Sequence, residues 1–307
     1  MKFPGAEQTV SDLSKQFVSV IIPVYNDAER LKICLEALEN QTYPRDLYEV
    51  IVVNNDPSQN IEPHIVNSYN IRVICESRRG SYAARNKGVL NTRGAVIAFT
   101  DSDCIPRSDW IEKGVKHLLN EPNCGLVAGR IEIFYSDPEN PTAVELYEKI
   151  TAFNQKMYVE RLKFGVTANL FTFKNIINEV GCFNDTVLSS GDSEWGNRVF
   201  EAGYKQIYAD DTCVSHPALK TFAQRFRKRI RIIKGKYKLG TLNFSPGLFV
   251  KRLFLPLIEA KKIIFEGKHD ESLRGRKQKF KFATVYFFDS YVWTFGSLII
   301  TLFGRKK

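Results

Sequence analysis

The chain has 307 residues, which suits two average domains or one mixed α/β domain with insertions. Its hydrophobic share of 44% and charged share of 25% are ordinary globular values, and they exclude wholesale disorder, collagen and a polytopic membrane protein. The net charge of +10 is unevenly placed, since residues 220–307 hold 22 Lys and Arg against 5 Asp and Glu. This basic region predicts an anionic partner, either nucleic acid or phospholipid.

The six cysteines indicate neither a zinc site nor a disulfide framework, because no CxxC pair or repeated spacing occurs. We therefore expect reduced thiols. The N-terminal sequence MKFPGAEQTV lacks the basic and then apolar order of a secretory signal, so we expect the folded body in the cytoplasm.

The first hundred residues alternate predicted strands and helices. Short apolar runs predict strands at 17–23, 48–53, 71–75 and 95–100. Apolar residues at helical spacing predict a helix after the first strand, a turn covers 54–58, and a second helix covers 81–91. Successive βα units with nearly continuous apolar strands predict an α/β fold with a parallel sheet covered on both faces.

The regular alternation ends after residue 134. We predict a helix at 108–120, a strand at 125–134, a helical stretch at 143–158 and a short strand at 170–173. A Gly-containing turn at 189–192 then leads into a helix that runs to residue 202.

Three apolar segments follow in the basic region. Residues 221–237 predict a basic amphipathic helix, and 248–264 are too interrupted by Pro256 and four basic residues to span a bilayer. Residues 282–304 are long enough to span, but Asp289 near the middle costs about 3 kcal/mol in a bilayer. We therefore favour shallow or in-plane embedding, with a helix packed on the folded body as the alternative.

Two aspartates, Asp101 and Asp103, come directly after a predicted buried strand. In doubly wound sheets the carboxyl ends of parallel strands open into the ligand crevice, where two carboxylates can share a divalent cation with a diphosphate. The first βα turn has no GxGxxG loop, which disfavours a dinucleotide-dependent dehydrogenase. Gly80 precedes a helix in which Arg85 and Asn86 can meet phosphates, although a solvated surface helix has the same pattern.

Together, five segments resemble glycosyltransferase family 2 proteins of GT-A fold, over about residues 18–217. They read VSVIIPVYN, VIVVNNDPS, RRGSYAARNKGVLNTRGAVIAFTDSDC, SGDSEWGNRVFEAGY and VSHP. The resemblance implies a Rossmann-like, mostly parallel sheet with helices on both faces. It also implies an inverting transferase that moves a sugar from a nucleotide diphosphate to an acceptor hydroxyl, in the manner of bacterial polysaccharide biosynthesis.

The resemblance carries roles to individual positions. For the nucleotide sugar these positions are Pro23, Tyr25, Asn26, Asn54, Asn55, Arg85, Asn86, Asp101 and Ser102. For a Mg²⁺ or Mn²⁺ ion they are Asp101, Asp103 and His216. Family members usually have two aspartates where this chain has Asn54 and Asn55, and since an amide both donates and accepts, the base of the donor stays open.

Inversion needs a base on the acceptor side, and Asp192 matches the acidic family motif that supplies one. Glu194 is the second candidate or an acceptor-binding residue, and Asp192 itself can instead be only an N-cap. Trp195 is a candidate for stacking on an acceptor sugar, with core packing as the alternative.

The expected organisation is a lead-in at 1–17, a GT-A catalytic domain at 18–219 and a membrane-associating region at 220–307. Residues 18–103 form the nucleotide half of the catalytic domain and 104–219 the acceptor half. We expect a glycan or polyprenyl-linked acceptor at the anionic cytoplasmic face of the plasma membrane, with peripheral or C-terminal attachment. No nucleic acid partner is expected, because Phe and Ile recur at helical steps in the basic helix.

Two other functions remain open at this point. A non-catalytic membrane-surface adaptor would use the basic C-terminal region alone. A nucleotidyltransferase is disfavoured, because PVYNDAERLK supplies no Gly-rich basic loop for a triphosphate.

Overall fold

The computed structural model describes residues 16–56, 58, 61, 70–265, 273 and 275–304. Its described residues form two compact units, the first within 16–132, 154–186 and 191–216, and the second within 133–153, 187–190 and 217–304. Most of the predicted lead-in at 1–17 and part of the predicted turn at 54–58 lie outside the described residues. The domain limits that we expected from the sequence stay predictions.

Eight strands form one mixed sheet within the described part of the chain. They are β1 (Val18–Val24), β2 (Tyr48–Asn54), β3 (Ile71–Cys75), β4 (Val96–Thr100), β5 (Ile105–Pro106), β6 (Cys124–Phe134), β7 (Asn169–Phe173) and β8 (Lys205–Pro217). Their order is β3-β2-β1-β4-β7-β6-β8-β5. The strands β1 to β4 pair in parallel, whereas β4 with β7, β6 with β7 and β5 with β8 pair antiparallel. The predicted α/β class with a mostly parallel core is confirmed, and the second half of the sheet is antiparallel.

Every residue of β1, β2 and β4 is buried, as expected for central parallel strands. The helices are α1 (Ala28–Glu39), α2 (Ser81–Leu90), α3 (Trp110–Asn120), α4 (Ala143–Thr151), α5 (Gln155–Met157), α6 (Lys174–Val180), α7 (Gly191–Glu201), α8 (Phe222–Lys238), α9 (Pro246–Phe265) and α10 (Gly275–Phe303). The helix α2 packs closely on β1 at Gly88. A Cβ atom at this position would lie 2.5 Å from Ile21 Cγ2. Only glycine allows this approach.

The helical stretch that we predicted at 143–158 is present, but it is interrupted. The helix α4 ends at Thr151, the next residue is extended, and Phe153 takes a left-handed φ of 52°. The chain then restarts as α5, because the Asn154 side chain accepts a hydrogen bond from the Met157 amide. A single π-helical turn over Tyr158–Leu162 follows.

The second unit is helical, and α10 packs against α4, α8 and α9. Its apolar cluster consists of Val144, Tyr147, Ile263, Leu273, Phe282, Ala283 and Val285. The predicted basic amphipathic helix is present as α8, and it begins with a capping box between Thr221 and Gln224. The apolar stretch around Pro256 is one helix, α9. By length and composition α10 is able to cross a membrane, although core helices of soluble proteins can meet the same criterion.

Candidate active site

The carboxyl ends of β1, β2 and β4 meet at one edge of the sheet. Val24 is the register partner of Asn54, so the residues that follow β1 lie beside the end of β2. Tyr25 is 53% exposed there, with the Arg79 guanidinium 5.7 Å from the centre of its ring. Pro23 is buried in β1, and Asn26 turns the chain with a left-handed φ of 49°. This edge is where doubly wound folds bind ligands.

The two asparagines that end β2 have different surroundings. The Asn55 amide donates 2.8 Å hydrogen bonds to the carbonyl oxygens of Glu76 and Arg78, and its oxygen accepts from the Gly80 amide at 2.8 Å. Asn55 therefore ties the end of β2 to the loop that leads into α2. The Asn54 oxygen accepts from the Asp56 amide at 2.9 Å. The contacts of both asparagines with a nucleotide stay predictions.

We expect the Asn55→Asp substitution to destabilise the fold, although aspartate is common at this position in the family. A carboxylate would face two carbonyl oxygens without a hydrogen to donate, and one unmet buried hydrogen bond costs about 1–3 kcal/mol. Urea denaturation of the variant beside Asn140→Asp, an exposed control, would measure the loss. Equal stability of the two variants would contradict this role of Asn55.

Two side chains of the helix α2 contact carboxylates of the site. Tyr82 Oη donates to Asp192 Oδ2 at 3.1 Å, and Arg85, one turn further along, forms an ion pair with Asp101. Arg85 is buried, and its Nε has no hydrogen-bond partner within the described residues. An unmet buried donor of this kind is typical of a site that completes its contacts with a bound group. One helix thus connects the DxD segment with the predicted base.

Asp192 lies at the start of α7 and is partly buried. Thr167 Oγ1 donates to its Oδ1 at 2.8 Å, while Tyr82 holds the other oxygen. Burial raises the pKa of Asp192, and the nearby charge of Asp101 adds to this, whereas Arg85 and the two hydroxyl donors oppose it. A carboxylate with a raised pKa and a fixed orientation is suited to accept a proton near neutral pH.

Asp103 and His216 form a candidate cation site. Asp103 Oδ1 lies 3.6 Å from His216 Nε2, and Arg30 Nη1 lies 3.2 Å from the other carboxylate oxygen. Ligand atoms of Asp103, Cys104 and His216 all lie within 4.8 Å of one another. Burial raises the pKa of the Cys104 thiol well above its usual range, and its Sγ donates to the Ala168 carbonyl oxygen at 3.7 Å. A carboxylate and an imidazole at this spacing fit a divalent cation such as Mn²⁺.

The other half of the DxD motif lies outside this cluster. Asp101 is turned towards α2 and Asp103 towards α1, so the two carboxylates have different cationic partners. Ser102 Oγ donates to Asp27 Oδ2 at 3.2 Å. One oxygen of Asp101 is thus engaged by Arg85, and the role of Asp101 at the metal stays a prediction.

Three further candidates are engaged within the fold. Trp195 is fully buried and its Nε1 donates to the Gly181 carbonyl oxygen at 3.0 Å, which favours the core alternative over stacking on a sugar. Glu194 pairs with Arg198 at 2.7 Å, so its carboxylate is less available than that of Asp192. Asn86 both donates to and accepts from the backbone of Phe183. Its contact with the nucleotide stays a prediction.

Sequence reasoning missed three residues that organise the site, namely Arg30, Tyr82 and Thr167. Arg30 lies in the first turn of α1, and Thr167 lies two residues before β7. Tyr82 stands inside the quoted RRGSYAARNKG segment, two residues after Gly80. Nothing in that segment indicates a contact with a residue 110 positions away.

Comparisons with known proteins agree with this fold. The sequence model described as "Glycosyl transferase family 2" matches residues 19–181. The chain is 37% identical to "Glycosyltransferase AglE" of Haloferax volcanii over 252 aligned residues. The alignment covers 78% of this chain and 82% of that protein. A Methanococcus voltae enzyme named as a dolichyl N-acetyl-alpha-D-glucosaminyl phosphate 3-beta-D-2,3-diacetamido-2,3-dideoxy-beta-D-glucuronosyltransferase is 21% identical over 235 residues, covering 69% of this chain and 70% of its own.

A solved structure has the same fold. The mannosyltransferase PcManGT from Pyrobaculum calidifontis, in complex with GDP-Man and Mn²⁺, matches with a TM-score of 0.63. The match covers 95% of this chain and 88% of that one. At 18% sequence identity it shows the fold alone.

Proposed function

Since the chain belongs to glycosyltransferase family 2 and is a glycosyltransferase of GT-A fold, we propose that it transfers a sugar with inversion from a nucleoside diphosphate to an acceptor hydroxyl. The observation that carries this proposal is the helix α2, from which Tyr82 holds Asp192 and Arg85 holds Asp101. The side chains that contact the proposed proton acceptor and a donor-side carboxylate thereby lie one helical turn apart on α2. The adaptor alternative is wrong, because the family is enzymatic.

Asp192 acts as the base in this reaction. The acceptor oxygen forms a bond to the anomeric carbon, its proton passes to an Asp192 oxygen, and the bond from that carbon to the diphosphate breaks on the opposite face. Thr167 and Tyr82 orient the carboxylate by donating to its two oxygens. Burial makes it a stronger base by raising its pKa.

Asp103 and His216 would hold Mg²⁺ or Mn²⁺. When bound, the cation supplies positive charge that stabilises the leaving diphosphate. Arg30 fixes the orientation of the Asp103 carboxylate by binding its other oxygen. The solved relative with Mn²⁺ supports the choice of a divalent ion.

We expect His216→Ala to weaken Mn²⁺ binding by about tenfold or more, because an imidazole ligand is lost. Mn²⁺ titration followed by electron paramagnetic resonance measures this without turnover. His117→Ala is a matched control, since that imidazole pairs with Asp211 instead. Equal Mn²⁺ affinity in both variants would remove His216 from the metal site.

The donor is identified by a screen of UDP-, GDP- and dTDP-sugars. Expected is one nucleotide class that raises the melting temperature and releases free nucleoside diphosphate only when a divalent cation is present. The Asn54 amide can donate as well as accept, so all three bases belong in the screen. No release from any donor, with a lipid-linked acceptor present, would reject the proposed reaction.

The acceptor that we propose is a glycan or a polyprenyl-linked saccharide at the anionic cytoplasmic face of the plasma membrane. The relative from Methanococcus voltae, whose name includes a dolichyl phosphate sugar, supports a lipid-linked acceptor. The excess of basic residues after position 219 supports an anionic surface.

A further inference from the structure

One face of α10 carries exposed apolar side chains at intervals along most of its length, and between them Tyr291 donates to the Leu253 carbonyl oxygen of α9. Its exposed side chains include Phe280, Phe287, Phe295, Ile299 and Leu302, which are between 39% and 63% exposed. Steps of seven, eight, four and three residues place them on one side of a helix. We name these five residues the α10 stripe. At 1.5 Å per residue, it is about 33 Å long.

The opposite side of α10 is covered by the second unit itself. Phe282, Ala283 and Val285 are buried in the apolar cluster with α4 and α9. The exposed stripe and the buried side therefore belong to one helix with two distinct faces. A helix surrounded by lipid would need to be apolar on all sides.

Asp289 lies on the buried side and is held by charges from α8. Arg225 Nε lies 2.7 Å and Arg229 Nε 2.9 Å from Asp289 Oδ1, and Tyr147 Oη donates to Oδ2 at 3.3 Å. Arg225 also pairs with Glu148, which Lys228 binds at 3.0 Å. We name these groups the charge cluster. Moving α10 across a bilayer would bring Asp289 into hydrocarbon or draw the arginines after it, and both are costly.

The exposed charges around the stripe have one sign. From residue 220 onwards, the exposed charged side chains that the structure describes are Lys220, Arg227, Arg231, Lys234, Lys238, Lys251, Lys261, Arg276 and Lys277. The described acids of this region are Asp289, which is buried, and Glu259, which pairs with Lys262. On α9 the exposed Val250, Phe254 and Ile258 add a second apolar strip. Apolar strips among basic side chains complement an anionic bilayer surface.

We propose that the second unit is a monotopic membrane-binding module, in which the α10 stripe lies in the interfacial plane of an anionic phospholipid bilayer and α10 does not cross it. The proposal rests on the membrane partner proposed above and extends it to a surface and a topology. The charge cluster keeps the stripe facing outward by fixing α10 on α8. The occupant is phospholipid, because the exposed charged side chains around the stripe are basic and complement an anionic bilayer surface.

Binding is tested with the full chain and sedimenting vesicles of phosphatidylcholine, with or without phosphatidylglycerol. Expected is strong binding to the anionic vesicles that weakens in high salt, and a loss of at least tenfold in Phe280→Ser/Ile299→Ser. The control is Leu90→Ser, which changes an exposed apolar side chain of the first unit. Unchanged binding in the stripe variant would overturn the proposal. The proposal would also be overturned if the wild type and the Leu90→Ser control were stable dimers in solution and the stripe variant were a monomer.

Topology is tested with single cysteines at the two ends of α10, Lys277→Cys and Thr301→Cys, after replacing the exposed Cys75 and Cys182 by Ser. A membrane-impermeant maleimide is added to right-side-out and inverted vesicles from cells that express the protein. Both positions should react from the same side. Labelling from opposite sides would show a span and overturn the proposal.

The failure of this inference differs from failure of the proposed reaction. Metal-dependent transfer from the donor to a detergent-solubilised acceptor should be within twofold of wild type in the stripe variant. Conversely, Asp192→Asn should bind anionic vesicles as wild type does. If the wild type transferred sugar but did not bind vesicles, only the proposed membrane binding would be rejected. If it bound vesicles but did not transfer sugar, only the proposed reaction would be rejected.

Discussion

We expect Asp192→Asn to lower the kcat of sugar transfer by about 10²–10⁴-fold, the usual contribution of a positioned base. The amide has nearly the same shape and still accepts a hydrogen bond from Thr167, but it cannot take the proton of the acceptor hydroxyl. Donor affinity should stay within twofold, because the donor-side carboxylates and Arg85 are untouched. Donor titration and product assay on the same preparation separate the two steps.

Asp210→Asn is the matched control, since it removes an exposed carboxylate of the same unit and should leave kcat unchanged. If the two variants were equally active, Asp192 would be only a helix cap. Thr167→Val should have a smaller effect than Asp192→Asn, because it removes a donor that orients the carboxylate and leaves the base present.

The raised pKa of Asp192 adds a pH signature. The base works only when deprotonated, so kcat/KM should rise with pH through a limb that lies above the usual range of an aspartate. Burial raises that pKa most, Arg85 and the Thr167 and Tyr82 hydroxyls lower it, and Asp101 raises it, so together they set the position of the limb. In Asp192→Asn the residual activity should have no such limb. A limb of unchanged position would assign it to another group.

The donor edge of the site was predictable, whereas the grouping of its side chains was not. Apolar runs predicted β1, β2 and β4, and parallel pairing then required Asn54 and Asp101 to share an edge. The partners of each carboxylate depend on long-range packing. Tyr82 reaches Asp192 because α2 lies on β1, and that closeness depends on the absence of a side chain at Gly88.

In the C-terminal region, too, the sequence did not predict which charged side chains pair. The sequence presents Asp289 as a lone charge in an apolar segment, which would be costly in a bilayer. In the structure this carboxylate is paired with Arg225 and Arg229 from α8. Periodicity predicted α8 as a basic amphipathic helix, but it placed the basic residues in solvent or at lipid. Arg225 and Asp289 are 64 residues apart, and no local sequence pattern indicates that they pair.

We expect Asp289→Asn to lower the free energy of unfolding of the second unit by about 3–5 kcal/mol, because it leaves two arginines without their shared counterion. Arg225 is buried and keeps one carboxylate partner, Glu148, among the described residues, while Arg229 loses the carboxylate to which it makes two hydrogen bonds. Urea unfolding followed by tryptophan fluorescence measures this loss, and Trp293, which lies 5.2 Å from the Arg229 guanidinium, contributes the signal of this region. The exposed Lys277→Gln should change stability by less than about 0.5 kcal/mol.

The charge cluster should also make this stability depend on pH. Burial alone would raise the pKa of Glu148, but Lys228 and Arg225 hold it below the usual glutamate value of 4.5. A carboxylate with a lowered folded-state pKa stabilises the fold above its unfolded-state pKa, and this contribution is lost as pH falls through the folded-state value. Stability should therefore decline below about pH 4.5 in wild type. In Glu148→Gln it should be lower at neutral pH and decline less steeply, and parallel curves for the two proteins would exclude Glu148 as the titrating group.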